Sequence, residues 1–81
     1  MNWRILATDG SQPDFDRLTE EERTALADDL FSWIETGPPM TNRRMLGDLE
    51  LFEDQVGSGF IVTYFVRESV PYVGLLRVRA T

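Results

Sequence analysis

The sequence predicts an α+β domain in which an antiparallel sheet packs on one long amphipathic helix. Three observations predict it. Residues 19–36 repeat apolar side chains at helical spacing, and residues 49–79 contain three apolar segments separated by short turns. The chain of 81 residues is long enough for one hydrophobic core and no more. We therefore expect a single domain over residues 1–81, with the element order β-α-α-β-β-β and the last three strands in an antiparallel meander.

The composition excludes several kinds of chemistry. The chain has no cysteine, histidine or lysine, so thiolate and imidazole ligands, a histidine base and a Schiff-base lysine are all missing. We expect no cofactor and no metal site. The net charge of −6 disfavours indiscriminate binding to nucleic-acid phosphates. No apolar run approaches the roughly 20 residues of a membrane helix, so we expect a cytoplasmic protein without a membrane partner.

The first elements are short. Residues 3–8 are apolar with strand character, and Asp9-Gly10-Ser11 is typical of a turn. Ser11 is placed as an N-cap, with Pro13 in the first turn and Asp14 three residues after the serine. This pattern predicts a short helix that extends through Leu18.

The long helix has clear start and stop signals. Thr19 and Glu22 have the spacing of a capping box. Gly37 stands where a C-terminal cap belongs, and Pro38-Pro39 prevents continuation. The core-facing stripe is formed by Leu26, Leu30, Trp33 and Ile34, widened by Ala27 and Phe31. We expect this stripe to pack on one face of the sheet.

The C-terminal half alternates strands and turns. Residues 40–48 are expected to form a loop. The three predicted strands are residues 49–56, 60–66 and 70–78. The middle one is β-branched and aromatic throughout, which predicts the central strand. The reversals lie at residues 57–59 and 67–69, and the final strand is expected at a sheet edge.

The candidate site residues depend on the register of the last two strands. A two-residue turn at Glu68-Ser69 would pair residue 64 with residue 73 and residue 60 with residue 77. Strand alternation would then place Tyr64, Arg77 and Arg79 on one face. The alternative interpretation is that both arginines are solvated residues at a strand end and that Tyr64 belongs to the core.

Two further arginines follow the proline pair. Arg43 and Arg44 could clamp a phosphate or a carboxylate, because guanidinium groups bind such anions bidentately. Alternatively, they neutralise nearby acids such as Asp48 and Glu50. Glu53-Asp54 should point to opposite faces of a strand, so these two carboxylates cannot jointly bind a metal.

A family resemblance enters through an ordered set of motifs. These are Phe15…Leu18…Arg23, then Leu30…Ile34-Glu35-Thr36-Gly37, then Arg44-Met45-Leu46-Gly47-Asp48-Leu49-Glu50-Leu51-Phe52-Glu53, then Gly59-Phe60-Ile61-Val62-Thr63-Tyr64-Phe65-Val66, and Val73-Gly74-Leu75-Leu76. The set resembles the RelE/ParE superfamily of bacterial toxins, most closely its phage-derived, HigB-like branch. It covers the chain from about Phe15 to Arg79.

The resemblance implies a toxin of a type II toxin–antitoxin system. Such a protein is a ribosome-dependent mRNA endoribonuclease or, in the ParE branch, a gyrase poison, and a cognate antitoxin holds it inactive. If the chain cleaves RNA, Arg77 and Arg79 would stabilise phosphate charge and Tyr64 would stack on or position the substrate. Arg43 and Arg44 would contact RNA or a protein partner.

The chain departs from the family pattern at two positions. An arginine usually follows the glutamate of the second strand, where this chain has Asp54, and another usually stands where this chain has Ile61. A donor to developing transition-state charge is worth about 3–4 kcal/mol of barrier. We therefore expect a toxin-family protein with weakened or lost catalysis. The alternative is a non-catalytic interaction module, an inactivated relative or a phage accessory protein, that binds a partner protein through its sheet.

Overall fold

The computed structural model describes residues 2–57 and 59–80. In it, helix α2 (Glu20–Thr36) begins and ends at the residues that the sequence predicts. Thr19 Oγ1 accepts the Glu22 N–H at 3.1 Å, and the Glu22 carboxylate accepts the Thr19 N–H at 2.9 Å. This reciprocal pair is the predicted capping box. Gly37 ends the helix with a φ of 80°, a conformation that a residue with a Cβ rarely adopts.

The buried stripe of α2 is narrower than predicted. Leu26, Leu30 and Trp33 are buried, and Ile34 is half-buried. Ala27 is exposed and Phe31 is 67% exposed, so the prediction that they widen the stripe is wrong. The sheet contacts one line of the helix, and the two flanking residues project beyond it.

The other elements are β1 (Arg4–Ala7), α1 (Gln12–Arg17), β2 (Arg43–Leu46), β3 (Leu49–Gln55), β4 (Phe60–Arg67) and β5 (Tyr72–Ala80). Strand β2 corrects the predicted loop over residues 40–48. It pairs antiparallel with β3 through a tight turn in which Gly47 has a φ of 63°. Met1, Thr81 and Ser58, the ends of the predicted domain and the middle of a predicted reversal, lie outside the described residues.

The five strands form one sheet in the order β1-β5-β4-β3-β2. Strands β3, β4 and β5 are the predicted antiparallel meander, and β4 is the predicted central strand. The prediction that the final strand lies at an edge is wrong, because β1 pairs with β5 in parallel over residues 72–75. The edges are β1 and β2.

The core lies between α2 and one face of the sheet. Its buried side chains are Leu26, Leu30, Trp33, Phe52, Val56, Phe60, Val62, Tyr64, Val73, Leu75 and Val78. Phe15 and Leu18, from α1 and the residue that follows it, pack against this cluster. Both helices therefore cover the same face of the sheet, as the sequence predicts for the long helix.

Candidate functional site

The face of the sheet opposite α2 is covered by none of the described elements, and we call it the open face. Strand alternation defines it, because Phe60, Val62 and Tyr64 are buried whereas the residues between them are not. Cross-strand pairs extend it to the neighbouring strands. Its polar and apolar side chains include Arg44, Leu51, Glu53, Ile61, Thr63, Phe65, Arg77 and Arg79.

A β-bulge determines which side chains of β5 reach the open face. Tyr64 pairs with Leu75, but its neighbour Thr63 pairs with Arg77, so Leu76 is an extra residue in the ladder. Beyond the bulge, the inside–outside alternation of β5 is shifted by one residue. Arg77 therefore shares a face with Thr63 and not with Leu75.

The predicted surface shared by Tyr64, Arg77 and Arg79 is consequently wrong. Arg77 and Arg79 are exposed and pair with Thr63 and Ile61, whereas Tyr64 is fully buried on the covered face. The prediction assumed an unbroken alternation after a two-residue turn. The actual turn is longer, since Arg67 pairs with Tyr72. The bulge then moves the side chains of Arg77 and Arg79 to the face opposite Tyr64.

Two open-face arginines converge on one carboxylate. Arg79 Nη2 lies 3.2 Å from Glu53 Oε2, and Arg44 Nη2 lies 3.6 Å from Glu53 Oε1. Thr63 Oγ1 donates a hydrogen bond to Glu53 Oε2 at 3.4 Å. The Glu53 side chain is 19% exposed, against 57% for Arg79 and 70% for Arg44. The carboxylate thus lies where any anion held between these arginines would lie.

A further open-face arginine, Arg77, is bound from the sheet edge. Arg77 Nε donates to Asp14 Oδ2 at 2.9 Å, and the Val78 N–H donates to the same oxygen at 2.9 Å. Because β1 pairs only with residues 72–75, this part of β5 has an outer edge that needs an acceptor, and buried Asp14 supplies it. The hydrogen bond from Arg77 lowers the pKa of Asp14, despite its burial, and raises the pKa of Arg77.

Tyr64 belongs to a buried polar network. Its ring centroid lies 5.0 Å from that of Trp33 and 5.7 Å from that of Phe52. Its hydroxyl donates to Asp54 Oδ2 at 2.5 Å and accepts the Met40 N–H at 3.0 Å. Burial, reinforced by the hydrogen bond to Asp54, raises the pKa of the phenol above its ordinary value of 10.0. The alternative interpretation of Tyr64 as a core residue is confirmed.

Asp54 holds the loop before β2 to the same network. Its carboxylate accepts the Thr41 N–H at 3.4 Å through Oδ2 and the Thr41 hydroxyl through Oδ1. The residue is 3% exposed, and Met40, next in the loop, has a φ of 53°. The network therefore fixes a backbone conformation that is rarely populated outside glycine.

Comparisons with known proteins rest on structure alone. No protein-family model matches the sequence, and no curated protein is significantly similar to it. The RelBE2 toxin–antitoxin complex of Mycobacterium tuberculosis contains a similar chain, with a TM-score of 0.76 at 17% identity over 100% of this chain and 93% of that one. The archaeal RelE–RelB complex of Pyrococcus horikoshii gives 0.71 at 14% identity over 99% and 96%.

The isolated E. coli RelE toxin decides which component of such complexes the fold matches. It superposes with a TM-score of 0.70 at 16% identity, over 96% of this chain and 83% of that one. This chain has the RelE fold. The resemblance drawn from the sequence motifs is therefore confirmed at the level of the fold, and the HigB-like branch stays a prediction.

The RelE fold separates the two arginines that follow the proline pair. Arg43 and Arg44 lie on an edge strand and not in a loop, so their side chains point to opposite faces. Arg43 Nη1 lies 3.2 Å from Glu50 Oε2 on the covered side. Arg44 alone reaches the open face. The alternative interpretation, in which this pair neutralises nearby acids, is confirmed for Glu50.

Two residues that contact the open-face arginines were not predicted from the sequence as site residues. Glu53 was expected only to point away from Asp54, which is confirmed, but its contact with two arginines was not predicted. Asp14 lies in the first turn of a short helix, as predicted, but its pairing with Arg77 was not predicted. The sequence signal for Glu53 is its alternation with Phe52, whose aromatic side chain belongs to the core, so that Glu53 faces outward.

A hollow of about 240 Å³ between the helices and the end of β5 is lined in part by Asp14, Arg17, Phe60, Arg77 and Arg79. Within residues 2–57 and 59–80, no group of three or more carboxylate side chains is placed to hold a metal ion. Over the same residues, no helix is both long enough and apolar enough to cross a membrane.

Proposed function

We propose that this chain is the toxin-family component of a bacterial type II toxin–antitoxin pair and that a cognate antitoxin is its partner. The observation that carries the proposal is the match to the isolated E. coli RelE toxin, which covers 96% of this chain and 83% of that one. The neighbour from Mycobacterium tuberculosis is a toxin–antitoxin complex, and the neighbour from Pyrococcus horikoshii is a RelE–RelB complex.

The chemistry proposed for the open face is phosphodiester cleavage with reduced efficiency. In such cleavage the 2′-hydroxyl attacks the neighbouring phosphate and the bond from phosphorus to the 5′-oxygen of the next nucleotide breaks, which leaves a 2′,3′-cyclic phosphate and a 5′-hydroxyl. The hydroxyl proton passes through solvent to the leaving oxygen, and the protein mainly positions the strand and stabilises the developing charge. Arg77 and Arg79 are the proposed charge-stabilising residues, with Arg44 beside them. Each of the three contacts a carboxylate in the free chain, which supports weakened catalysis. Tyr64 is inaccessible to a substrate, so the proposal limits its role to positioning the residues around it.

A second candidate function is a non-catalytic interaction module on the same fold. Two observations favour it: the net charge of −6, and the pairing of Arg44, Arg77 and Arg79 with acids. Both reduce the attraction of the open face for RNA, since non-specific affinity comes mainly from charge neutralisation. In this case the chain would bind its partner protein without arresting growth.

Inducible expression in a bacterial host distinguishes the two functions. We expect growth arrest by the wild-type chain, relieved by Arg79→Ala and by Arg77→Ala at equal soluble expression. Arg23→Ala is the matched control, because Arg23 is an exposed arginine of α2. Unimpaired growth at high soluble expression would contradict a toxic activity and favour the interaction module.

A further inference from the structure

We propose that Arg44, Arg79 and Thr63 form a phosphate-binding cradle and that the Glu53 carboxylate occupies this cradle in the free protein. The ligand class is the phosphodiester group of single-stranded RNA. The inference deepens the proposed function and rests on it for the choice of RNA. Glu53 then acts as a built-in competitor that lowers the affinity of the open face for its own substrate.

The arrangement of donors supports the cradle. Each oxygen of the Glu53 carboxylate faces a different guanidinium, at 3.2 Å from Arg79 and 3.6 Å from Arg44. Thr63 supplies a hydroxyl donor to one of these oxygens. Arginine binds carboxylates and phosphates through the same directed N–H donors, so a phosphate can replace the carboxylate without rearrangement of the strands.

Glu53 differs from the other acid that pairs with an arginine of the same hairpin. Glu50 contacts only Arg43, its side chain is 48% exposed, and it lies on the covered side of the sheet. Glu53 is 19% exposed and is held by three donors from three other strands, β2, β4 and β5. The Glu53 carboxylate therefore occupies an anion-binding site formed by several donors, whereas Glu50 forms an ordinary surface ion pair.

In the competition for the cradle, the Glu53 carboxylate has an advantage over an RNA phosphate, but it can still be displaced. A carboxylate and a phosphodiester each carry one negative charge, so exchanging them leaves the local charge unchanged. The carboxylate is tethered to the chain, which gives it a high effective concentration that RNA in solution lacks. The arginine side chains are mostly exposed, and exposed ion pairs are weak, so the carboxylate can still be displaced.

Glu53→Gln tests the cradle directly, with Glu50→Gln as its control. Both substitutions remove one negative charge and keep the shape of the side chain, but only the first frees Arg44 and Arg79. Binding of a short fluorescein-labelled single-stranded RNA to the purified chain is measured by fluorescence anisotropy over a range of NaCl concentrations. We expect Glu53→Gln to bind about tenfold more tightly than wild type, the effect of one charge-assisted contact. Glu50→Gln should bind like wild type.

The salt dependence gives an independent readout. Each additional phosphate contact should steepen the plot of log affinity against log salt by about 0.7 for a single strand. Adding Arg79→Ala to Glu53→Gln should abolish both the gain in affinity and the steeper slope. If Glu53→Gln does not fold, Glu53→Ala provides the same comparison, and thermal melting checks each variant.

Equal affinities of the Glu53 and Glu50 variants would overturn the proposal. So would the absence of RNA binding by a folded Glu53→Gln variant, because a freed cradle must bind. These outcomes are separate from those of the growth experiment. A tighter Glu53→Gln variant of a chain that does not arrest growth would retain the cradle and refute the toxic activity.

Discussion

Asp54 is the residue whose role changes most between sequence and structure. The family pattern has an arginine at this position, so the sequence suggested that Asp54 places a negative charge in the site. The side chain instead points to the covered face, where it accepts hydrogen bonds from Tyr64 and Thr41. Asp54 therefore adds no negative charge to the open face, and the electrostatics there depend on Glu53.

The Tyr64 hydroxyl should contribute measurably to stability. Tyr64→Phe would leave the Asp54 carboxylate and the Met40 N–H short of a partner in a buried site. We expect a loss of about 1–3 kcal/mol in the free energy of unfolding, measured by urea denaturation. Tyr72→Phe removes the same atom from a half-buried ring and is the control. Equal losses in the two variants would contradict a structural role for the network.

Asp14 should make stability depend on pH in the acid range. Its pKa is lowered from 3.8 in the folded chain, mainly by the hydrogen bond from Arg77. A lowered pKa stabilises the fold above the unfolded value, and this contribution is lost as the pH falls through the folded value. We expect Asp14→Asn to melt below wild type at pH 7, with the difference shrinking below about pH 4.

The control for this measurement is Asp16→Asn, an exposed acid of the same helix. It should change the melting temperature little at either pH. A constant difference between Asp14→Asn and wild type across the whole pH range would refute the role of the ionised carboxylate.

At the scale of elements, the end of α2 depends on a glycine for two reasons. Gly37 has a φ of 80°, and a Cβ at this position would lie 2.9 Å from Trp3 Nε1. We expect Gly37→Ala to lower the free energy of unfolding by about 1–2 kcal/mol through backbone strain, and by more through displacement of the indole. The backbone N–H of Trp3 also donates a hydrogen bond to the Ile34 carbonyl at 2.7 Å, so the start of β1 would be disturbed as well.

Gly47→Ala separates these two causes. Gly47 has a φ of 63°, but nothing lies within 4 Å of an added Cβ, so only strain is introduced. Urea denaturation of both variants should show a larger loss for Gly37→Ala. Equal losses would mean that the Trp3 contact contributes nothing.

Elements with local signals could be predicted from the sequence, and elements defined by their partners could not. The capping box at Thr19 and Glu22 and the glycine at 37 depend on neighbouring residues only, and all three are confirmed. Strand β2 is exposed along its whole length and has no apolar alternation, so only its pairing with β3 reveals it. The bulge at Leu76 likewise exists only in relation to β4.

For the whole molecule, the sheet meander and its covering helix were predictable because hydrophobic patterning specifies which segments are buried. The exposure of Arg77 and Arg79 was also predicted as one alternative. Their relation to Tyr64 was not, because one extra residue reverses every later side chain of the strand. Glu53 was missed because its three donors come from three different strands.

The charge of the whole molecule is unevenly distributed. Helix α2 carries acids along its length, including Glu20, Glu21, Asp28 and Glu35, and it packs on the covered face of the sheet. The open face carries Arg44, Arg77 and Arg79. Such a separation of charge orients an approaching polyanion toward the open face, even though the net charge is negative.

The parallel pairing of β1 with β5 has a consequence for how the protein is made. Residues 4–7 find their neighbours only at residues 72–75, nearly the full length of the chain away. During translation, β1 therefore cannot pair until β5 has left the exit tunnel. Until then, the edge of β4 that pairs with β5 also has no partner strand. The sheet can be completed only after residues 72–75 have been synthesised and released, and the nascent chain is exposed to proteases and chaperones before that moment.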